Sequence, residues 1–150
     1  LNTAFVVLGG LIGGTIGSST LVNTNKGFIL TGAGGEAFGA AVWGGLNVNG
    51  DMTSDIIVGA PSANAGGGRV YVAFGRDTPA NIPSTDLAQG KGGFALEGQG
   101  DQAAGGSVGL MPDLDADGRN ELLVGARQYD VMPGDNVGRA YLVYGGDCKP

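Results

Sequence analysis

The sequence predicts an all-β chain built from four-stranded antiparallel units in series. Three observations carry that prediction. The chain matches itself at one dominant shift. Its apolar residues run in short stretches of period 2 between Gly, Asn and Asp, and no window shows an amphipathic helical stripe. The shift is 66 residues, the step from Gly27 to Gly93. It lays Gly27-Phe28-Ile29-Leu30-Thr31-Gly32 on Gly93-Phe94-Ala95-Leu96-Glu97-Gly98, Asp51 on Asp117, and Val58-Gly59-Ala60 on Val124-Gly125-Ala126. Residues 3–9 fall on 69–75, and Ile16, Ser18 and Leu21 fall on Ile82, Ser84 and Leu87. After Ala126 the shift grows to 70, the step from Gly68 to Gly138. The second copy therefore carries four extra residues around 129–136, an insertion of the kind repeat proteins tolerate at a loop. With 32 Gly and 6 Pro in 150 residues, low complexity would otherwise be the default reading. A fixed period makes each Gly a turn of a repeated unit instead.

In chain order, the whole of 1–150 reads as one segment of such units. Residues 3–32 supply the last two strands of a preceding unit, 36–97 a full unit, and 103–146 a second unit lacking its last strand. A signal or membrane segment is an alternative for 1–25, which carry no charge until Lys26. No basic residue precedes the apolar run at 5–8, however, and Gly9, Gly10, Gly13 and Gly14 cut it short. The first strand of a unit is read at 38–43 and 105–110, where Gly39, Ala40, Ala41, Gly106 and Ser107 let neighbouring units approach. The second contains Ile56-Ile57-Val58 or Leu122-Leu123-Val124, continuous apolar runs typical of strands covered on both faces. The third, 70–74 and 140–144, is β-branched and aromatic and ends in Gly. The fourth is 28–31 and 94–97. Four short strands per unit predict the blades of a β-propeller, with a Gly-rich β-sandwich as the alternative. Two repeats and a partial blade do not close a ring of ~4 to 8 blades. The expectation is therefore a segment of a larger propeller, or a subunit that completes its blades with neighbours across unpaired edges.

Between the first and second strands of the second copy runs Asp113-Leu114-Asp115-Ala116-Asp117-Gly118-Arg119-Asn120-Glu121. Carboxylates at positions 1, 3 and 5 are the spacing by which a tight loop wraps a hard cation. Leu114 and Ala116 point away, Gly118 reverses the chain, Arg119 offers its carbonyl with its side chain in solvent, and Glu121 closes the site. Four converging carboxylates repel one another without a cation, which points to Ca²⁺; an acidic, metal-free turn is the plain alternative. Mg²⁺ fits less well, because the loop offers many protein oxygens and few water positions. The equivalent loop, Asn47-Val48-Asn49-Gly50-Asp51-Met52-Thr53-Ser54-Asp55, keeps the donor spacing with fewer charges. It also puts Met52 where the second copy has Gly118, so it is expected to bind more weakly, or to be a relic turn held by Asx bonds.

The formal charge of −6 argues against a nucleic-acid partner, which calls for a basic stripe. It reads either as a solvated surface or as carboxylates gathered at cations. With no His, the usual general base, catalysis is not expected. The single Cys148 excludes a disulfide framework within the chain.

Phe38-Gly39, the N-x-N-x-D and D-x-D-x-D-G loops and Val58-Gly59-Ala60-Pro61 resemble the FG-GAP repeat of integrin α-subunit β-propellers. The long bacterial repeats of that kind are closer still, with a G-x-V-Y-V-x-F-G strand, a Pro-containing linker and then G-F-x-L-x-G. The resemblance covers essentially the whole chain. The second copy departs from it at Ala104, where the family has Phe, and at Arg127, where it has Pro. It implies a seven-bladed propeller with Ca²⁺ in loops on one face and an extracellular or cell-surface adhesion role. It also implies a ligand set of Asp113, Asp115, Asp117, the Arg119 carbonyl and Glu121. In the first copy the set is Asn47, Asn49, Asp51, the Thr53 carbonyl and Asp55. Metal would be structural, and partner contacts (a protein or a glycan) would come from other loops, chiefly the insertion at 128–137. The alternative is a structural subunit of a self-assembling surface layer or fibre, resting on the incomplete end blades and the Gly-rich linker at 9–24. Neither Arg-Gly-Asp nor an N-x-S/T sequon occurs to identify the partner.

Overall fold

In a computed structural model, residues 2–10, 14–76, 78, 80–100 and 102–146 are described; Cys148 and part of the 9–24 linker lie outside them. The ten strands are β1 Thr3–Val7, β2 Gly27–Thr31, β3 Ala41–Leu46, β4 Asp55–Ala60, β5 Arg69–Ala73, β6 Asn81–Pro83, β7 Gly93–Glu97, β8 Ala104–Met111, β9 Glu121–Ala126 and β10 Arg139–Val143. They form three mainly antiparallel sheets, ordered β1-β2-β6, β3-β4-β5-β7 and β10-β9-β8. The chain is all-β in class.

The internal repeat is visible as geometry. Thr3–Val7 and Gly27–Thr31, moved by 66, land on Arg69–Ala73 and Gly93–Glu97, and Asp55–Ala60 lands on Glu121–Ala126. Pairing repeats with it. Val6 lies opposite Phe28, and Val72 lies opposite Phe94. The first strand of a unit begins later than expected in one copy: Phe38 lies in a turn, and β3 starts at Ala41.

Two short helices are the main difference from the sequence reading. The helices α1 Ser18–Asn23 and α2 Ser84–Ala88 occupy equivalent positions in the two copies. Each is too short to show a stripe or to be stable alone. What holds each is one leucine: Leu21 and Leu87 are buried, packed where Gly27 and Gly93 open the next strand. No helix among the described residues is long and apolar enough to cross a membrane.

Sheets meet face to face in two cores. The first gathers Ala4, Leu30, Phe38, Val58, Tyr71, Ile82 and Leu87 between the β1 and β4 sheets; Phe38 and Tyr71 have ring centroids 5.4 Å apart. The second gathers Ile57, Val70, Val72, Leu110, Leu122 and Val124 between the β4 and β9 sheets. The small residues that permit this contact are not all those the sequence singled out. Gly105 does lie against the Arg69 carbonyl and Gly39 near the Thr3 carbonyl, but the tightest approach between sheets is Gly59 on the Gly105 carbonyl. Gly106, by contrast, has ordinary room around it.

Candidate metal centre

The loop 113–121 joins β8 to β9, and the loop 47–55 joins β3 to β4 at the same place in the preceding unit. Four hydrogen bonds of one loop have direct counterparts in the other. Ala116 N donates to Asp113 Oδ1, as Gly50 N donates to Asn47 Oδ1. Asp117 N donates to Asp115 Oδ1, as Asp51 N does to Asn49 Oδ1. Arg119 N donates to Asp117 Oδ1, as Thr53 N does to Asp51 Oδ1. Leu114 N donates to Glu121 Oε2 at 2.8 Å, and Val48 N to Asp55 Oδ2 at 2.8 Å. Each acidic or amide side chain at an odd position thus caps a backbone N–H and is held toward the loop centre.

In the second loop this gathers charge. Asp113, Asp115, Asp117 and Glu121 each offer a carboxylate oxygen, and these oxygens lie within 4.8 Å of one another; Glu121 is buried and the three Asp are exposed. Oxygens on opposite sides of a Ca²⁺ ion bound at 2.3–2.6 Å stand up to about 5 Å apart, so the four fit one coordination sphere. The cluster can hold a metal ion. The Arg119 guanidinium lies 2.9 Å from Asp117 Oδ2 and holds that carboxyl below the usual range.

In the first loop the sequence-predicted set comes together differently. Asn49 Nδ2 donates to Asp51 Oδ2 at 2.8 Å, and this bond, ahead of other effects, lowers the Asp51 pKa. Asp55 is fully buried, and its desolvation raises its pKa against the N–H bonds from Val48 and Gly75. Only two of its donors are carboxylates.

Two expectations are corrected here. The Arg119 side chain is not free in solvent: besides Asp117, it lies against the turn of the first loop, with Nε 3.3 Å from where a Cβ on Gly50 would stand. Nor does Met52 set the first loop apart by strain. Met52 has φ 67° and its counterpart Gly118 φ 87°, but Gly50 has φ 82° and its counterpart Ala116 φ 64°. Each loop places one Gly and one non-Gly residue in the left-handed region, at a cost of roughly 1–2 kcal/mol for the latter. Charge, not backbone strain, therefore separates the loops. Met52 is 95% exposed and packs on nothing, so Met52→Gly is expected to raise stability by up to about 1 kcal/mol in chemical denaturation.

Asn120 has a role that spacing does not reveal. Its N–H donates to Asn47 O, and its Oδ1 accepts from Asn47 N, both at 2.9 Å, tying the two loops side by side. The partners lie 73 residues apart, so only the folded chain brings them together. Compared with known proteins, the chain matches no family model, and no curated protein matches it in sequence.

Proposed function

We propose that the chain is a run of Ca²⁺-braced β-propeller blades of the FG-GAP kind, serving as an extracellular binding or adhesion module, with the metal structural and no catalysis. The observation that supports it best is the four-carboxylate cluster of Asp113, Asp115, Asp117 and Glu121, set at the same turn of the internal repeat as loop 47–55. Oxygen-only donors around a tight loop suit Ca²⁺ above transition metals. A cation there neutralises charges that otherwise repel and locks the β8–β9 turn, so its binding free energy becomes folding free energy. In this reading the Arg119 and Thr53 carbonyls complete the two sites.

Partner binding falls to loops away from the metal. The insertion at 128–137 is shaped from inside: Asp130 accepts from Gly134 N and Asn136 N, and Asp135 from Val131 N and Met132 N. Val131 and Met132 are left facing solvent, apolar anchors on a pre-shaped turn. Calorimetric titration of the metal-free protein tests the metal assignment. A tighter Ca²⁺ event should vanish in Asp113→Asn, and a weaker one in Asp51→Asn. Titrations left unchanged by Asp113→Asn would overturn it.

A second reading, a self-assembling structural subunit, is favoured by one feature. Phe5, Val7, Val42 and Trp43 are each more than half exposed, beside the edge of β1 that pairs with no strand among the described residues. A monodisperse monomer in light scattering at high concentration would remove it.

A further inference from the structure

Loop 47–55 contains a step whose chemistry its role as a turn does not use. Asn49 is followed by Gly50, whereas every other asparagine is followed by a residue that carries a Cβ. An asparagine amide is open to attack by its own chain, because the next main-chain nitrogen can reach Cγ and close a five-membered ring. Glycine permits that approach best, having no Cβ to crowd it and free access to positive φ. Gly50 is exposed with φ 82°, and Asn49 is only half-buried.

The loop also holds the amide in place. Asn49 Oδ1 accepts from Asp51 N at 3.0 Å, and Asn49 Nδ2 donates to Asp51 Oδ2 at 2.8 Å. The first bond sets a donor where negative charge gathers as Cγ becomes tetrahedral, as an oxyanion hole does. Gly50 N donates to Asn47 Oδ1 at 2.9 Å, and this bond must open before the nitrogen attacks, so local opening of the turn paces the reaction. The acid product is one the fold already accepts. The repeat counterpart of Asn49 is Asp115, whose Oδ1 accepts from Asp117 N just as Asn49 Oδ1 accepts from Asp51 N. Aspartate at 49 therefore keeps the turn bond. What changes is charge: an oxygen replaces Nδ2 opposite Asp51 Oδ2, and a third carboxylate joins Asp51 and Asp55.

We propose that Asn49 is a modification site, deamidating in the folded chain so that loop 47–55 moves toward the charge of loop 113–121. Gly50 N gives its proton to hydroxide and bonds to Cγ. The Cγ–Nδ2 bond then breaks, and the nitrogen takes a proton from water and leaves as ammonia. Water opens the resulting succinimide. Attack at Cγ restores the main chain and leaves aspartate; attack at the Asn49 main-chain carbonyl carbon leaves isoaspartate, with the chain rerouted through Cγ. The net change turns an amide and water into a carboxylate and ammonium, with no oxidant or reductant. The isoaspartyl chain is longer by a methylene and loses the donor spacing, so only the aspartyl product resembles the second loop. The modification does not rest on the metal assignment. Its consequence, tighter Ca²⁺ binding by the aspartyl product, does rest on the reading of this loop as the weaker site.

The test holds the intact protein in chelator at mildly alkaline pH, below its melting midpoint, and follows ammonia release with peptide mass mapping. Asn49 should convert ahead of every other asparagine, giving aspartyl and isoaspartyl products. In Gly50→Ala the conversion should be at least about tenfold slower, because a Cβ crowds the attack. That variant keeps its turn, since the counterpart Ala116 already holds φ 64°. Faster conversion at another asparagine, an equal rate in Gly50→Ala, or conversion only after unfolding in denaturant would overturn the proposal. Calorimetric titration of Asn49→Asp checks the consequence: the weaker Ca²⁺ event should tighten by about tenfold, as added ligand charge does in such loops. An unchanged event would overturn the gain in affinity. No Ca²⁺ event in either protein would remove the metal reading and that gain together, while the deamidation stands or falls on its own readout.

Discussion

Calcium is expected to raise the melting midpoint of the metal-free protein by about 5–10 °C, and a chelator to reverse the rise. The size comes from linkage: a ligand at about a hundred times its Kd adds about 2.7 kcal/mol to the native state. In a chain of this length each kcal/mol moves the midpoint by about 2–4 °C. The source of the effect is the convergence of Asp113, Asp115, Asp117 and Glu121 within 4.8 Å, with Glu121 drawn into the interior at the head of β9. Asp115→Asn is the informative variant. Asp115 is exposed, and its one hydrogen bond, from Asp117 N at 3.2 Å, can be kept by the amide oxygen. The metal-free midpoint should therefore stay nearly where it was, while the Ca²⁺-induced rise shrinks by half or more. A wild-type midpoint indifferent to chelator, or an Asp115→Asn protein with the full rise, would remove the metal from the fold's energetics.

Much of the architecture was legible because the chain states it twice. A strand such as Arg69–Ala73 reads as β from its β-branched and aromatic residues and the Gly75 that follows, and its counterpart 66 residues earlier repeats both limits. The carboxylate cluster was legible for a related reason: alternate positions in a tight loop point one way, so spacing alone brings Asp113, Asp115 and Asp117 together. The features that could not be read depend on partners distant in sequence. The helices α1 and α2 contain five or six residues and one buried leucine each, and tertiary packing holds them where propensity does not. The parallel strand β6 is three residues with a proline, recognisable only once β2 offers its edge. The environment of Arg119 depends on the first loop lying alongside the second, through Asn47 and Asn120. The matching strain at Ala116 is a dihedral fact, hidden by attention to where Gly stands.

Gly59→Ala should be severely destabilising, while the same change at Gly125 should be mild. The two glycines are repeat counterparts in Val-Gly-Ala steps that end β4 and β9, and nothing in the sequence ranks them. Their neighbours do. A Cβ on Gly59 would stand 2.0 Å from the Gly105 carbonyl oxygen and 2.9 Å from its carbon. Those atoms are backbone of β8 in the next sheet and cannot rotate away, so the sheets must separate. Val58 and Ala60 serve the first core and Ile57 the second, so the shift loosens both together. A cost of about 3 kcal/mol or more is expected, at or above the upper end for overpacking, because no side chain can repack to absorb it. At Gly125 the close atom is the Ser107 hydroxyl oxygen, 2.1 Å from the built Cβ, and the next lies at 3.5 Å. A change of serine rotamer relieves that contact, at a cost of about 1 kcal/mol. Denaturant melts of the two variants check the contrast. Equal losses would mean that the β4 and β9 sheets do not meet at Gly59 and Gly105. A Gly59→Ala loss several times that of Gly125→Ala would establish the face-to-face packing on which the metal loops depend.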